Sequence, residues 1–353
     1  MYPGLALAEV LRDRSHDVEF VGGDRLEARV VPEAGFPFHA IVVRRPPSVR
    51  VELLGPRGLA ALVSIARAIP KARTLLRRLR ADVVVGMGGF AALPVALAAP
   101  GPLVLHEQNA RLSASQRVVA WRARALALGL PIAGRLPRVR TELVGQPVRR
   151  RIAALASLDD AALEEAKAAA RSRLGLDPSA PTLLVLGGSL GSQPLNDLVP
   201  RVSMPPRAQI LHLTGSGNEE RVASAWGGAR ANVLGFMDDI EQAYLACDVA
   251  VSRSGASAVA ELAIGALPSV LVPLPTLRRG DQEANARLLE AAGGAVVVLQ
   301  SHERFVETVG AELSLLLSDA SLRTRMSRAA RSFARSDGAE RLADVVESAA
   351  SSP

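Results

Sequence analysis

The stretch from Val251 to Asn285 organises this chain, and its first part reads VSRSGASAVAELAIGALP over residues 251–268. The apolar run that leads into it, residues 247–251, has the length and composition of a buried strand. Small, polar and glycine residues at 252–256 predict a tight turn, and helical character follows from Val259 onward. A strand, a turn and a helix in this order direct unbonded backbone N–H groups at one point, which suits a phosphate.

Glu261 is a second feature of this stretch that fits a nucleotide. It lies four residues after Ser257, so both residues share one helix face, one turn apart. If the turn holds a nucleoside diphosphate, the carboxylate is placed to reach the ribose diol. An ordinary strand–helix connection in an α/β protein has the same pattern, so this stretch by itself leaves both interpretations open.

The composition indicates a folded chain with an anionic partner. Its 353 residues are enough for two domains, and a content of 49% hydrophobic and 22% charged residues excludes wholesale disorder. The single cysteine, Cys247, forms no intramolecular disulfide, which fits a reducing cytoplasm. No apolar run reaches the length of a transmembrane helix. The net charge of +7 indicates nucleic acid, an acidic lipid surface or phosphorylated substrates as partners.

Strands and helices are predicted to alternate along the chain. The predicted strands are 18–23, 38–43, 81–85, 103–105, 183–186 and 210–213. Three glycine-rich turns, at 86–90, 187–192 and 252–256, each follow a strand and precede a helix. One such turn is weak evidence for a phosphate site, but three in the same structural position are stronger. The pattern predicts an α/β fold with parallel sheets.

A polar quartet, His106–Asn109, follows the predicted strand at 103–105. Open α/β sheets place their ligand sites at the carboxyl ends of their strands. A functional site is therefore favoured over a generic loop at this position.

A basic region follows the predicted strand at 38–43. Its arginines, interleaved with prolines and leucines, are Arg44, Arg45, Arg50 and Arg57, and a predicted helix at 59–79 adds further basic residues. This mixture is typical of contact with an anionic membrane surface, although a solvated basic helix face has the same composition. Nucleic acid is a less favoured partner, because no aromatic residues alternate with the basic ones to stack on bases.

The chain opens on a predicted helix, residues 3–14, with no strand before it. In a doubly wound sheet the first strand is usually central, and the loop after it binds phosphate. We therefore expect the first strand and its loop to be absent, and the chain to be a truncated reading of a longer protein.

Eight short motifs run through the chain. They are YPGLALA (2–8), GMGGF (86–90), HEQN (106–109), VGQPVR (144–149), GGSLG (187–191), FMDDI (236–240), SRSGA (252–256) and DQEANA (281–286). In their sequences and in their order along the chain, these motifs resemble those of the MurG family. The resemblance implies the GT-B fold, in which two Rossmann-like α/β domains face each other across a cleft. It places an acceptor and membrane-facing domain at 1–147, a UDP-sugar donor domain at 148–330, and a helix at 331–353 that packs back on the first domain.

The resemblance also implies an activity. The family transfers N-acetylglucosamine, with inversion, from UDP-N-acetylglucosamine to an undecaprenyl-linked muramoyl-pentapeptide acceptor, which forms lipid II for peptidoglycan synthesis. It implies a peripheral protein at the cytoplasmic face of the cell inner membrane, with an anionic membrane surface, cell-wall synthesis proteins and division proteins as partners, and no nucleic acid. No cofactor is implied, and the absence of a D-x-D motif predicts no obligatory metal at the diphosphate.

Site residues follow from the same resemblance. The Met237 backbone meets the uracil edge, and Glu261 takes the ribose hydroxyls. The diphosphate is held by Ser189 and by the helix start at Ser254, Gly255, Ala256, Ser257, Ala258, Val259 and Ala260. The sugar hydroxyls are read by Gln282 and by Asp281, where the family has an amide or a histidine. Asn109 and Arg149 close the cleft, and Gly88 and Gly89 face the acceptor diphosphate.

The acid–base chemistry is where this chain departs from the family. The family's candidate general base is a histidine just before the residue aligned with Met1, and within this chain His106 and Glu107 are the acid–base pair near the cleft. Two alternatives stay open: another GT-B glycosyltransferase acting on a glycolipid or natural product, and a truncated, non-catalytic nucleotide-sugar-binding protein. The HEQN motif and the basic, leucine-rich surface argue against the first.

Overall fold

The computed structural model describes residues 1–44, 55–89, 91–132, 134–188, 191–275 and 280–351, without the side chains of residues 56 and 57. The chain divides into two compact units, Met1–Arg149 with Asp337–Pro353 (unit 1) and Arg150–Ser336 (unit 2). The predictions for Arg45, Arg50, Ser189 and the Arg57 side chain lie outside the described residues.

Unit 1 alternates helices and strands. In chain order its elements are α1 (Tyr2–Asp13), β1 (Phe20–Gly22), α2 (Glu27–Glu33), β2 (Phe38–Ala40), α3 (Pro56–Leu79), β3 (Val84–Gly86), α4 (Ala92–Ala98), β4 (Leu103–Glu107), α5 (Ala114–Val119), β5 (Ala125–Leu128) and β6 (Arg140–Leu143). All its strand pairs are parallel: β3, β4, β5 and β6 form one sheet in that order, and β1 pairs with β2 in a second sheet.

Successive side chains of β4 and β5 pack on opposite faces of their sheet. Leu103, Leu105 and Leu126 belong to a cluster with apolar residues of α3 and α4. Val104 and Ala127 belong to another cluster, with residues of α1 and of the last helix of the chain. Because both faces are covered, these strands are continuous apolar runs until the polar end of β4.

Unit 2 resumes the alternation. Its elements are α6 (Arg150–Ala153), α7 (Asp160–Arg173), β7 (Thr182–Leu186), α8 (Gln193–Leu198), β8 (Gln209–Leu213), α9 (Glu219–Trp226), β9 (Ala231–Leu234), α10 (Ile240–Ala246), β10 (Val249–Ser252), α11 (Ala256–Ile264), β11 (Ser269–Leu271), α12 (Asp281–Ala291), β12 (Ala295–Val297), α13 (Phe305–Ser318) and α14 (Ala320–Phe333). The last helix, α15 (Gly338–Ser351), belongs to unit 1.

The sheet of unit 2 has six parallel strands in the order β12-β11-β10-β7-β8-β9. The chain adds β8 and β9 on one side of β7, then crosses to the other side for β10, β11 and β12. Strand order therefore reverses between β7 and β10. Doubly wound sheets bind ligands outside the carboxyl ends of the strands at such a reversal. The glycine turns that follow β7 and β10 lie at this point.

The alanine-rich segment 153–174 does not form one continuous helix. After α6 the backbone forms a short 3₁₀ turn, Ala154–Ser157, and α7 begins only at Asp160. The Asp159 carboxylate accepts a hydrogen bond from the Ala162 backbone N–H at 2.8 Å. An aspartate in this N-cap position stabilises a new helix start, so the continuous alanine-rich composition does not give one long helix.

Candidate functional site

Two described positions in the turn after β7 accept only glycine. A Cβ on Gly187 would overlap the Ser192 backbone nitrogen, and a Cβ on Gly191 would overlap the Thr214 carbonyl oxygen. Gly191 also has a φ of +73°, which L residues rarely adopt. The backbone after β7 therefore lies directly against the backbone after β8 at the carboxyl edge of the sheet.

The turn after β10 leads into the start of α11. Gly255 is the N-cap residue, and a glycine has no side chain with which to cap the helix. The first backbone bond within the helix runs from Val259 N to Gly255 O at 3.0 Å, so the N–H groups of residues 256–258 have no carbonyl within the helix to bond. The positive end of the helix dipole adds to these donors, which makes this position suited to an anion.

The predicted contacts along α11 differ in accessibility. Ser257, Ala258 and Glu261 are half-buried. Val259 is fully buried and Ala260 is 8% exposed. Their side chains pack inside unit 2, so any contact of these two residues with a ligand is limited to the backbone.

Hydrogen bonds join Ser254 to the start of α12. The Ser254 hydroxyl donates to the Gln282 carbonyl oxygen (2.8 Å), and the Asn285 amide donates to the Ser254 carbonyl oxygen (3.1 Å). The Gln282 side-chain oxygen accepts from the Leu274 backbone N–H at 2.9 Å. The structure thus brings Gln282 to the turn after β10, and the hydrogen bond of the buried Ser254 hydroxyl holds that turn against the start of α12.

Arg253 brings a positive charge to the same edge of the sheet. Its Nε donates to the Ser192 hydroxyl (2.9 Å), and Nη1 donates to the Gln300 side-chain oxygen (2.8 Å). Nη1 also donates to the carbonyl oxygens of Val272 and Pro273 (3.0 and 3.2 Å). Burial lowers the pKa of Arg253 from its usual value. All these partners are neutral, so the guanidinium ties the loops after β7, β10, β11 and β12 together without a carboxylate partner among them.

The predicted uracil and ribose contacts are linked through α10. Met237 is half-buried in the loop between β9 and α10. Tyr244, on α10, donates a hydrogen bond from its hydroxyl to Glu261 Oε2 at 2.7 Å. The loop that carries Met237 therefore continues into a helix that contacts the side chain of Glu261.

In unit 1, the turn after β3 contains Gly88 and Gly89, with φ values of +82° and +85°. A Cβ on Gly88 would lie 3.0 Å from Gln116 Nε2, whereas a Cβ on Gly89 would meet no described atom within 4 Å. Gln108 Nε2 donates to the Met87 carbonyl oxygen at 3.0 Å. The turn is therefore held from one side and open at Gly89.

The predicted acid–base pair is buried. Glu107 is 2% exposed, and its carboxylate accepts from the backbone and side-chain nitrogens of Asn109 (3.0 and 3.2 Å) and from the Ser113 backbone N–H (2.8 Å). His106 is fully buried, and its Nε2 lies 3.4 Å from the Gly145 carbonyl oxygen. Burial lowers the pKa of His106 to about 4, so the ring is neutral at pH 7. These contacts hold the loop that carries Asn109.

Asn109 and Arg149 lie at the carboxyl edge of the same sheet as Gly88 and Gly89. Asn109 follows β4 and Arg149 follows β6, and both side chains are half-buried. The Arg149 guanidinium carbon lies 5.3 Å from the centre of the Tyr2 ring. Because the strands are parallel, their carboxyl ends meet at one edge, so the unit 1 candidates share a single side of the sheet.

Comparison with known proteins matches both halves of the chain to domains of one glycosyltransferase family. The glycosyltransferase family 28 N-terminal domain matches residues 1–128, and the family 28 C-terminal domain matches residues 182–342. A protein of Halorhodospira halophila is 38% identical over 99% of this chain and 95% of its own length. A protein of Clavibacter michiganensis is 40% identical over 98% and 92%. Both are called UDP-N-acetylglucosamine–N-acetylmuramyl-(pentapeptide) pyrophosphoryl-undecaprenol N-acetylglucosamine transferase.

Among solved structures, Acinetobacter baumannii MurG matches with a TM-score of 0.74 and 25% identity, over 98% of this chain and 95% of that one. The chain belongs to the MurG family. A calicheamicin glycosyltransferase matches in fold alone, with a TM-score of 0.66 and 17% identity over 99% and 94% of the two chains. The predicted two-domain GT-B fold with parallel sheets is therefore confirmed for this MurG-family chain.

Three side chains of the candidate site were not assigned from the sequence. Arg253 and Asn285 lie inside the motifs SRSGA and DQEANA, so their position was a usable signal. Tyr244 lies in no quoted motif. Its one signal is composition, because the chain has only two tyrosines and aromatic residues make up 3% of it.

Proposed function

We propose that this protein transfers N-acetylglucosamine from UDP-N-acetylglucosamine to N-acetylmuramyl-(pentapeptide) pyrophosphoryl-undecaprenol, with inversion at the sugar carbon. The observation that carries the proposal is the start of α11 in unit 2. A helix N-terminus with a glycine N-cap lies at the strand-order reversal of the sheet, and the carboxylate of Glu261 lies on the next turn of the same helix. The names of the relatives supply the donor and the acceptor.

The donor is bound in unit 2 by groups of different chemistry. The N–H groups of residues 256–258 and the helix dipole hold the diphosphate, with Ser189 as a further predicted contact. Arg253 adds a positive charge nearby. Glu261 accepts from the ribose hydroxyls, and the Met237 backbone meets the uracil edge. Gln282, whose side-chain oxygen already accepts from Leu274, donates from its amide nitrogen to the sugar.

The acceptor is bound at the carboxyl edge of the unit 1 sheet. Gly88 and Gly89 turn their backbone toward the lipid diphosphate, with Asn109 and Arg149 beside them on the same edge. Arg149 supplies the positive charge that a diphosphate needs.

His106 and Glu107 act indirectly in this proposal. A general base must come within about 3 Å of the proton it removes. Both side chains are buried, and Glu107 already accepts three hydrogen bonds. We therefore assign the pair to positioning the loop of Asn109, in place of the direct acid–base role predicted from the sequence.

The proposal includes peripheral binding of unit 1 to the cytoplasmic face of an anionic membrane. Leu59 and Leu62 of α3 are 63% and 61% exposed, and Trp121 is 76% exposed. Helix α4 packs against both α3 and α5, so α5 and the residues that follow it lie on the same side of the unit. Exposed apolar residues among arginines suit a lipid surface, and tryptophan favours the headgroup region. No helix in the described part of the chain is long and apolar enough to cross a bilayer.

A turnover assay tests the proposed function. The purified protein is incubated with UDP-N-acetylglucosamine and a short-chain lipid-linked muramyl-pentapeptide diphosphate, and the disaccharide product is separated by chromatography. We expect product with this acceptor and none when the acceptor is omitted. Binding of UDP without product would support the non-catalytic alternative. Transfer to a different glycolipid only would support another GT-B glycosyltransferase.

A further inference from the structure

Tyr244 makes a contact that the proposed donor site does not use. The residue is 2% exposed, and its hydroxyl donates to Glu261 Oε2 at 2.7 Å. This distance is typical of a hydrogen bond from a hydroxyl to an ionised carboxylate, which is stronger than a bond between neutral groups. A buried tyrosine therefore directs its polar end at the carboxylate proposed for the ribose.

Gly265 makes room for this contact. A Cβ on Gly265 would lie 3.2 Å from the Tyr244 Cβ and 3.6 Å from its Cγ. The φ of Gly265 is −69°, a value that any residue adopts, so a side chain at this position would crowd Tyr244 without straining the backbone. Gly265 lies one turn after Glu261, and its N–H donates to the Glu261 carbonyl oxygen at 2.9 Å. The tyrosine therefore packs along one turn of α11, with its Cβ near Gly265 and its hydroxyl at Glu261.

The contact also connects two parts of one ligand. Tyr244 belongs to α10, which follows directly on the loop of Met237, and Glu261 belongs to α11. Uracil and ribose are joined by a single bond, so the groups that bind them must keep a fixed separation. A hydrogen bond between α10 and α11 holds that separation before the nucleotide arrives.

We propose that Tyr244 is a positioning residue for ribose recognition, which rests on the proposed function of Glu261. The tyrosine hydroxyl holds Oε2 of Glu261 so that the carboxylate faces the 2′- and 3′-hydroxyls of a uridine nucleotide. A carboxylate has about four lone-pair directions, so it accepts from the tyrosine and from a diol together. Holding the carboxylate in advance removes part of the side-chain entropy that a glutamate loses on binding.

The test is Tyr244→Phe, which removes the hydroxyl and keeps the ring. Calorimetry measures the affinity of the full chain for UDP and for 2′,3′-dideoxyuridine 5′-diphosphate, which lacks both ribose hydroxyls. We expect the affinity for UDP to fall about tenfold, while that for the dideoxy compound changes by less than about twofold. If the tyrosine has only a structural role, Tyr244→Phe will lower the affinities for both ligands equally, and that result would overturn the proposal.

Two further variants check that Tyr244 acts through Glu261. Adding Tyr244→Phe to Glu261→Ala should cause no further loss of UDP affinity, because the partner is already absent. Gly265→Ala adds a methyl group against the Tyr244 Cβ and should displace the tyrosine. Like Tyr244→Phe, it should lower the affinity for UDP and leave the affinity for the dideoxy compound unchanged.

Ser269→Ala is the matched control, because it also removes one buried hydroxyl, which donates to the Leu267 carbonyl oxygen at 2.7 Å. It should leave both affinities unchanged. If Glu261→Ala does not weaken UDP, the proposed ribose contact itself fails. If Glu261→Ala weakens UDP and Tyr244→Phe does not, only the role of Tyr244 is refuted.

Discussion

Polar and charged residues lie at the carboxyl edges of both large sheets, but the contacts of these residues differ. At the unit 2 edge, the N-cap of α11 is a glycine, and the partners of Arg253 among the described residues are neutral. At the unit 1 edge, Glu107 accepts three hydrogen bonds from its own loop, and His106 is buried and neutral. The unit 2 edge thus combines a helix start with a buried guanidinium, whereas the Glu107 carboxylate of the unit 1 edge is bonded within its own loop.

This difference shows that polar residues at the end of a strand are not by themselves evidence of contact with a ligand. The buried Glu107 carboxylate already accepts three hydrogen bonds, which favours the positioning role that we propose for it. Helix ends without a side-chain cap are the better indicator, because their N–H groups have no partner within the helix.

The largest effect is expected for Glu107→Ala. The variant leaves three donors of Asn109 and Ser113 without their acceptor, which should lower the free energy of unfolding by about 3 kcal/mol or more. Urea unfolding followed by circular dichroism measures the loss, and calorimetry should find UDP affinity unchanged because the proposed UDP site lies in unit 2. A stable variant with impaired transfer would instead return Glu107 to the acid–base role.

The two buried histidines, His106 in unit 1 and His212 in unit 2, should have the same effect on the pH dependence of stability. Burial lowers the pKa of each to about 4, below the usual 6.5. The unfolded chain therefore takes up protons first as pH falls, so each histidine contributes stability above pH 6.5 that is lost toward pH 4, up to about 3 kcal/mol. His212→Gln should flatten this loss in urea unfolding followed by the fluorescence of Trp226, which donates to His212 Nδ1. An equally steep loss in the variant would contradict this.

Glu261→Ala tests the proposed ribose contact at the unit 2 edge. Loss of a charge-assisted hydrogen bond to the ribose should weaken UDP binding by about 1.5–3 kcal/mol, measured by calorimetry. Binding of the lipid acceptor should not change. The control is Glu303→Ala, an exposed glutamate of the same unit. Unaltered UDP affinity would remove the ribose contact from the proposal.

Membrane binding should be the smallest effect per residue and belong to unit 1. Reversing the charges of Arg67 and Lys71 on α3 should reduce binding to vesicles containing anionic lipid by about 1 kcal/mol per residue, and added salt should do the same. Reversing Arg221 and Arg230 of unit 2 is the control in the same sedimentation assay. Equal binding to neutral and anionic vesicles would contradict the proposed surface.

Much of this protein follows from local sequence. The apolar runs predict β4, β7, β8 and β10 to within two residues or so, because buried parallel strands are continuous apolar segments. The glycine turns and the position of Glu261 one turn after Ser257 also follow from local rules. β5, with the sequence ALAL, was not predicted, because four consecutive apolar residues show no alternation of polar and apolar positions.

Tertiary structure decided which of these local features meet. Arg253 reaches Ser192, and Tyr244 reaches Glu261, only because the chain crosses from β9 back to the far side of β7 before forming β10. Strand order is not encoded in the period of any one segment, so residues distant along the chain cannot be paired by pattern. Burial has the same origin: whether Glu107 faces a ligand or its own loop depends on the path of residues 108–113, which no alternation of polar and apolar residues describes.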